Sequence, residues 1–414
     1  MKSTSSLSLA PHGRDLRIDF ARGLALWFML VDHIPHNIVA LLTMRNFGFS
    51  GAIDVFVFVS GYAAAIQYGK MTLERGFVVA ATRIIKRAWQ LYAAHLVLFV
   101  IYISAVSWVA ERYRAPDIVE EYRIIGMLND PLRVLMHGLL LQSRPLNLDV
   151  LQLVIVLLAF FPFVLALLLR WPTFTVAGSL VLYLAARWFG LSLPAYPAGS
   201  PYLNPFCWQL LFVLSAYLAL SGAKLVQESR TVRILAFSYL AFALVVTLAA
   251  RDPTLSLGPD VVTRAFIPTD RENLGLSRLL HLLAIALLFS RLVPAKWEGF
   301  QSKLLQPILK CSEEWLACFC AGVFLSSAGY FVLSTNPDSE LLQVLVSVTA
   351  VSMMTAVAYY VSWSKQQDRL ARMGSQGSTS QQSKYPPAEP GALGIGPLEA
   401  AVRVADATLY SLAT

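Results

Sequence analysis

Ionisable side chains crowd the first long apolar run of the sequence and its approach. The stretch DLRIDFARGLALWFMLVDHIPHNIV carries Asp19, Arg22, Asp32, His33 and His36. Arg22 and His33 are eleven positions apart, which on an α-helix is three turns plus about 20°. Both then share a face, roughly 16 Å apart along the axis, and Asp19 falls within reach of Arg22 at i+3. An ionisable side chain inside an apolar helix costs on the order of 3 kcal/mol by insertion scales, so such residues usually have a task. The planar fork of arginine suits a phosphate or another oxyanion. Histidine titrates near neutrality and suits a general base. Two structural readings compete: His33 as a core histidine bridging helices, and Arg22 as an arginine snorkelling to headgroups. Asp32 stands about 100° around the helix from His33, so it orients the ring only through a bend, which Pro35 can supply. Asp32, His33 and His36 also have the donor types of a metal site. Asp54 is the only near candidate for a fourth ligand, and no metal is expected.

Further polar groups lie in other apolar runs. SGAIDVFVFVSGYAAAIQYG holds Asp54, Ser60 and Tyr62 among small residues that suit close helix packing. TRIIKRAWQLY then brings Arg83, Lys86 and Arg87 to one basic loop, which reads equally as a ligand contact or as a topology anchor. Asn147, Asp149 and Gln152 follow, then Asn204, Trp208 and Gln209, then His281. Buried amides can simply join helices, but an aromatic ring beside amides also holds sugars. No GxSxG, Walker loop or HExxH occurs, so hydrolase, ATPase and zincin chemistries have no support.

These residues need a scaffold, and composition names its class. The 414 residues are 57% apolar and 14% charged, with a mean hydropathy of +0.59. A soluble domain carries about 25% charge, so a soluble enzyme of this size is excluded. Gly 23 and Pro 21 exclude collagenous and low-complexity classes. Four cysteines, Cys207, Cys311, Cys318 and Cys320, form no CxxC pair, which supports neither a zinc site nor a disulfide frame. No cleavable signal peptide is expected, because the polar start runs into the first apolar segment without a small-residue site.

Ten apolar runs of near-spanning length stand at 20–43, 48–68, 85–108, 148–169, 173–190, 206–222, 232–250, 275–293, 315–334 and 340–363. The expectation is an all-α polytopic membrane protein with about ten transmembrane helices around a buried site. With the N-terminus inside, 22 of the 33 Lys and Arg residues fall on the inner side and 11 on the outer. Both termini are therefore expected in the cytoplasm, and the net charge of +8 reflects orientation rather than nucleic-acid binding. Residues 1–18 read as a cytoplasmic N-terminal segment, 19–363 as the membrane domain, and 364–414 as a cytoplasmic tail. That tail, Gln-, Ser-, Gly- and Pro-rich, is expected to be disordered from 366 onward. Within the long outer loop 109–147, MHGLLLQ suits a short interfacial helix.

At this point the residues resemble a family. Arg17, Asp19, Arg22, Gly23, Ala25 and His33 resemble the N-terminal signature of the type-three superfamily of membrane acyltransferases, with its Arg-x10-His motif. Phe56-Val-Phe58-Val-Ser60-Gly61-Tyr62 is similar to its second-helix pattern, and Arg83-x-x-Lys86-Arg87 falls where its basic, CoA-side loop lies. Closer still is the OpgC branch, which succinylates osmoregulated periplasmic glucans. Its hallmarks stand here as RDLRIDFARGLALWF (14–28), DHIP (32–35), NLDVLQL (147–153), NPFCWQLLF (204–212) and LLHLLAIALL (279–288). The resemblance spans most of 14–360. The sequence departs from the pattern at KCSEEWLACFCAG (310–322), with Glu313 and Glu314, and 366–414 has no counterpart.

The resemblance implies transfer of an acyl group, foremost succinyl, from cytoplasmic acyl-CoA to a glucose hydroxyl of a periplasmic glucan. The setting would be the bacterial inner membrane, with acyl-CoA (succinyl-CoA) as co-substrate and no tightly bound cofactor. His33 becomes the general base, with Asp32 beside it. Arg17, Asp19, Arg22, Arg83, Lys86 and Arg87 become donor contacts. Asp54, Asn147, Asp149, Trp208 and Gln209 become acceptor contacts, and His36, Ser60, Tyr62 and His281 remain other candidates. Direct transfer is expected, because no buried Ser or Cys visibly pairs with His33. The rival is a transporter or flippase that uses the same intramembrane charges as a path. Inverted repeats would favour it, and none is visible.

Overall fold

The computed structural model describes residues 15–113, 130–143, 147–196, 203–221, 230–250, 270–334 and 336–381. Among them the regular elements are helical. They are α1 (Leu16–Asp32), α2 (Ala52–Arg75), α3 (Phe77–Tyr113), α4 (Pro131–Leu139), α5 (Asp149–Arg170) and α6 (Pro172–Phe189). Then come α7 (Pro205–Ser221), α8 (Arg230–Ala249), α9 (Leu276–Leu292), α10 (Gln306–Glu313), α11 (Trp315–Leu333) and α12 (Glu340–Gln381). The chain divides into two units, Met1–Ser362 and Trp363–Thr414, and the packing below belongs to the first.

Each of the ten apolar runs carries a helix. Six of them, α2, α3, α5, α8, α11 and α12, are long and apolar enough to cross a membrane. By contrast α1, α7 and α9 have 17 residues and α6 has 18, which is roughly 25 Å against a hydrocarbon core of about 30 Å. Large apolar side chains stand bare on the outer faces, among them Trp188 at 83% exposure and Phe174 at 78%. Water would not tolerate such faces over many helices, whereas lipid requires them. The molecule is a multi-pass, all-α membrane protein.

Helices α1 and α2 form the centre. α1 packs on α2, α10 and α11, while α2 also packs on α3 and α7. Small residues set these distances. A Cβ on Gly61 would run into the Ser215 hydroxyl and the Phe212 carbonyl of α7, and one on Gly23 would run into the Ile308 carbonyl of α10. The shared core includes Phe56, Tyr102, Phe161, Trp208 and Phe212, all nearly fully buried.

The structure corrects three expectations. The first apolar run is not one helix to residue 43. α1 ends at Asp32, and short 3-10 turns follow at Ile38–Leu42 and Met44–Asn46. Pro35 is the cause, since it lacks a donor and disfavours helix at the preceding residue, and His36 then takes φ +54°. Arg83, Lys86 and Arg87 are not in a loop but inside α3. Gly76, at φ +87°, ends α2, and the 37 residues of α3 contain no Gly or Pro to stop the next helix. The polar tail does not begin at 366. α12 continues to Gln381; Lys365, Gln366, Gln367, Arg369, Leu370 and Arg372 carry it past 366, since such residues favour helix even without an apolar face. The remainder of the tail call, 382–414, lies outside the described residues. MHGLLLQ overlaps the end of the nine-residue α4.

The α2–α7 contact can be tested directly. Gly61→Val should destabilise the bundle by about 1–3 kcal/mol through overpacking. Gly178→Val on α6, where a Cβ meets nothing within 4 Å, should change little. Thermal unfolding of both variants in detergent measures the difference.

Candidate active site

The break after α1 opens a polar cavity. It measures about 240 Å³ and is lined by Asp32, His33, His36 and Arg45 from the break, by Asn147 and Asp149 from the start of α5, and by Arg271. The sequence-derived candidates Asp32, His33, His36, Asn147 and Asp149 therefore meet in one place. His33 is the C-cap of α1, its N–H still bonded to the Met29 carbonyl at 3.1 Å. Its ring forms no hydrogen bond to another described side chain and has the Met29 carbonyl as its backbone partner. Asp32 is engaged elsewhere. Its Oδ1 accepts the Thr43 hydroxyl at 2.6 Å and pairs with Arg45 Nε at 3.1 Å.

Asn147 sits in the left-handed region at φ +73°, a conformation that asparagine tolerates better than most residues. Its Nδ2 donates to Ser326 Oγ on α11 at 3.1 Å, while its buried Oδ1 has no partner. A buried amide oxygen left unpaired costs about 1–3 kcal/mol, and Asn147 shares the cavity lining with His33. A second, apolar slot of about 20 Å³ shares these two residues with the cavity. His33 and Asn147 line it as well, with Leu26, Met29, Cys318, Phe319, Val323 and Met354. His33 thus stands where a polar cavity and an apolar slot meet.

Arg45 and Arg271 were missed as site residues. Arg271 is placed by one turn held from α7 and α6. Trp208 Nε1 donates to the carbonyls of Arg271 and Glu272 at 3.2 and 3.1 Å. Asn204 accepts the Phe206 N–H at 3.1 Å as a helix cap, and its Nδ2 donates to Asn273 Oδ1 at 2.9 Å. Arg187 of α6 pairs with Asp270 at 2.7 Å. Trp208 therefore does not line the cavity but fixes the backbone of a residue that does. One sequence signal was open to use: Arg271 and Arg278 lie at the N-terminal end of α9, where the helix dipole disfavours cations, so each needs an acidic or ligand partner.

Other candidates are placed away from the cavity. Asp54 accepts the Gly51 N–H at 2.7 Å and forms a buried ion pair with Arg278, whose Nε lies 3.3 Å from Oδ1. His281 lies 2.7 Å from Ser50 Oγ and packs under Gly48. Gln209 exchanges hydrogen bonds with Ser179 of α6, at 2.6 and 2.8 Å. Ser60 donates to the Phe56 carbonyl at 2.7 Å, and Tyr62 is a half-buried neighbour of the core. No group of three His, Cys, Asp or Glu side chains among the described residues is placed to hold a metal ion.

Toward the α1 N-terminus the basic residues divide. Arg17 is bidentate to Asp15, at 3.0 and 2.7 Å, and caps the Ser290 and Val293 carbonyls at the end of α9. Asp19 accepts from Ser312 at 3.2 Å. Arg22 is half-buried, Arg83 and Lys86 are exposed, and Arg87 lies over the Trp315 ring at 5.2 Å.

The Asp54–Arg278 pair gives a stability test that separates scaffold from site. Arg278→Met should cost about 3–5 kcal/mol by leaving a buried carboxylate unpaired. The double variant Asp54→Asn/Arg278→Met should recover a large part of that loss. A double-mutant cycle on thermal unfolding reads the coupling.

Comparison with known proteins agrees with these motifs. The family model described as OpgC protein matches residues 14–366, a span that includes every cavity residue. No curated protein and no solved structure matches the chain. The break after α1, the start of α5 and the turn held by α7 all lie inside the matched span, so the chain belongs to the OpgC family, and acyltransferase activity on periplasmic glucans is what that membership implies.

Proposed function

We propose that the protein moves a short acyl group from acyl-CoA to a hydroxyl of a periplasmic glucan, with His33 as the general base. The observation that supports this reading is the place of His33 and Asn147, at the junction of a polar cavity and an apolar slot. A sugar hydroxyl suits the polar side, where Asp149, His36 and the unpaired Asn147 Oδ1 offer hydrogen-bond partners. A thioester with its pantetheine arm suits the apolar side. The hydroxyl proton passes to His33 as the oxygen attacks the thioester carbonyl. The C–S bond then breaks, and the departing thiolate takes a proton back from His33. Asp32 acts through Arg45 and Thr43 rather than on the ring, as a positioning residue.

At about 20 Å³ the slot holds at most one water, so side chains must part to admit the arm. Met29 and Met354 line it, and methionine is the apolar side chain that repacks most readily. The donor would come from the cytoplasm, with both termini on that side of the inner membrane, as the distribution of Lys and Arg supports. Arg22 and Arg87 are then the donor-side cations, suited to the oxyanions of the carrier.

Three measurements test this. A general base supplies 10²–10⁴-fold in rate, so His33→Ala should abolish measurable transfer per folded molecule while expression stays normal. Near-normal turnover in that variant would sink the reading. Arg87→Ala should raise the KM for acyl-CoA about 10- to 100-fold, the size of a lost charge-assisted hydrogen bond, and leave the KM for glucan unchanged. For orientation, a membrane-impermeant thiol reagent added from the periplasm should label a cysteine placed at Asp130 and miss one placed at Arg75. Labelling at Arg75 would invert the topology and the donor side with it.

A further inference from the structure

We propose that the groove between the end of α4 and the first two turns of α5 is a subsite for the second sugar unit of the acceptor. Gln142 and Gln152 hold one of that unit's hydroxyl groups. The inference rests on the acyl-transfer reading above and adds how the acceptor is held beyond the unit that reacts. Its first support is continuity. Asp149 lines both this groove and the cavity that contains His33. Gln152 follows Asp149 at i+3 on α5, on the same face. The rise between them is about 4.5 Å, the scale of one sugar ring. A chain of sugars with one unit at His33 can therefore lay its next unit over the groove. In the orientation proposed above, this end of the bundle faces the periplasm, where the glucan lies.

The second support is the chemistry of the lining. Gln142 and Gln152 are half-buried, and each is fixed through one end of its amide. Gln142 Oε1 lies 2.8 Å from His137 Nδ1, and Gln152 Nε2 donates to the Ser143 carbonyl at 3.0 Å. Among the described residues no hydrogen bond engages Gln142 Nε2 or Gln152 Oε1. That leaves an amide donor and an amide acceptor, the two functions that one hydroxyl satisfies. The backbone of Gln142 is pinned as well. Its N–H donates to the His137 carbonyl at 2.8 Å and its carbonyl accepts the Tyr196 N–H at 2.9 Å, while the His137 and Tyr196 rings stack at 4.4 Å. Leu153, Leu193 and Pro194 supply an apolar wall for the carbon-bound hydrogens of a sugar. The groove measures about 30 Å³, which admits a hydroxyl or hydroxymethyl group and not a whole ring. The sugar therefore lies over the groove and dips one arm into it. No Lys or Arg lines the groove among the described residues, so a phosphate or carboxylate finds no counter-charge there, and Asp149 repels it.

The test uses acceptors that differ by one sugar unit. The full-length enzyme in detergent, with succinyl-CoA as donor, is assayed on methyl β-glucoside and on methyl β-diglucosides of every linkage, with products resolved by mass spectrometry. The wild type should use the best diglucoside about 10-fold better in kcat/KM, or more, because contacts to a remote unit help to hold the reacting one. Gln142→Met and Gln152→Met keep the side-chain length and remove the amide. Each should lower kcat/KM for that diglucoside about 3- to 10-fold, the size of one lost neutral hydrogen bond, and the diglucoside-to-glucoside ratio with it. The KM for succinyl-CoA should stay as in the wild type. A diglucoside value unchanged in both variants would overturn the subsite. So would an equal loss with both acceptors, which marks a fault in the bundle, or equal use of both acceptors by the wild type. Absence of transfer to any acceptor in the wild type would overturn the acyltransferase reading itself.

Discussion

One carboxylate oxygen holds the site open. Irregular backbone inside a membrane protein survives only where it is buried in protein or lines a polar cavity, because lipid satisfies no N–H or C=O. The chain from His33 to Ser50 is such a segment, and Asp32 Oδ1 gathers its far side by taking the Thr43 hydroxyl and the Arg45 guanidinium. The Asn37 side chain caps the first 3-10 turn through Val39 N at 3.0 Å and donates to Ser347 of α12 at 2.8 Å. Gln343 accepts the Ile38 N–H at 2.7 Å. The polar groups freed when α1 stops are thus repaired by side chains from the bundle, and His33 is left at the helix end with its ring bonded to no other described side chain.

The opposite wall follows a similar rule. Arg271 belongs to a turn that contains Leu274 at φ +49°, an unfavourable conformation for leucine that needs support from its surroundings. Support comes from Trp208 and Asn204 at the head of α7, from Arg187 on α6, and from Tyr183, whose hydroxyl donates to the Leu274 carbonyl at 2.9 Å. A mutation at Trp208 would therefore impair the site without touching a ligand. In this fold an aromatic residue next to amides marks a brace, where the same pattern in sequence reads as a sugar platform.

That difference shows what one sequence discloses. Helix positions were legible because apolar runs of about twenty residues have few other uses. His33 and Asn147 were legible because polar groups in apolar runs are costly, and cost draws attention to position. Partnership was not legible. Asp54, His281, Gln209 and Arg17 carry the same signal as His33, yet each is consumed by a neighbour more than twenty residues away or by the end of another helix. Arg45 gave the weakest signal of all, since an arginine following Thr43 and Met44 reads as the solvated end of a span. The stop at Pro35, which turns that arginine back toward His33, was read only as a bend.

The two spaces at His33 also bear on why a base should be a histidine here. In the proposed mechanism a hydroxyl loses a proton on its polar side, and a thiolate gains one on its apolar side. A residue that stood wholly in either environment would favour one of those steps. A carboxylate in the apolar slot would be desolvated, and a lysine in the polar cavity would stay protonated beside Asp32 and Asp149. Imidazole has two ring nitrogens that exchange roles with a single proton, so it can take the proton from one side and release it to the other without moving the backbone. Its position as the residue that ends α1, held by the Met29 carbonyl but with its ring bonded to no other described side chain, gives that ring access to both spaces at once.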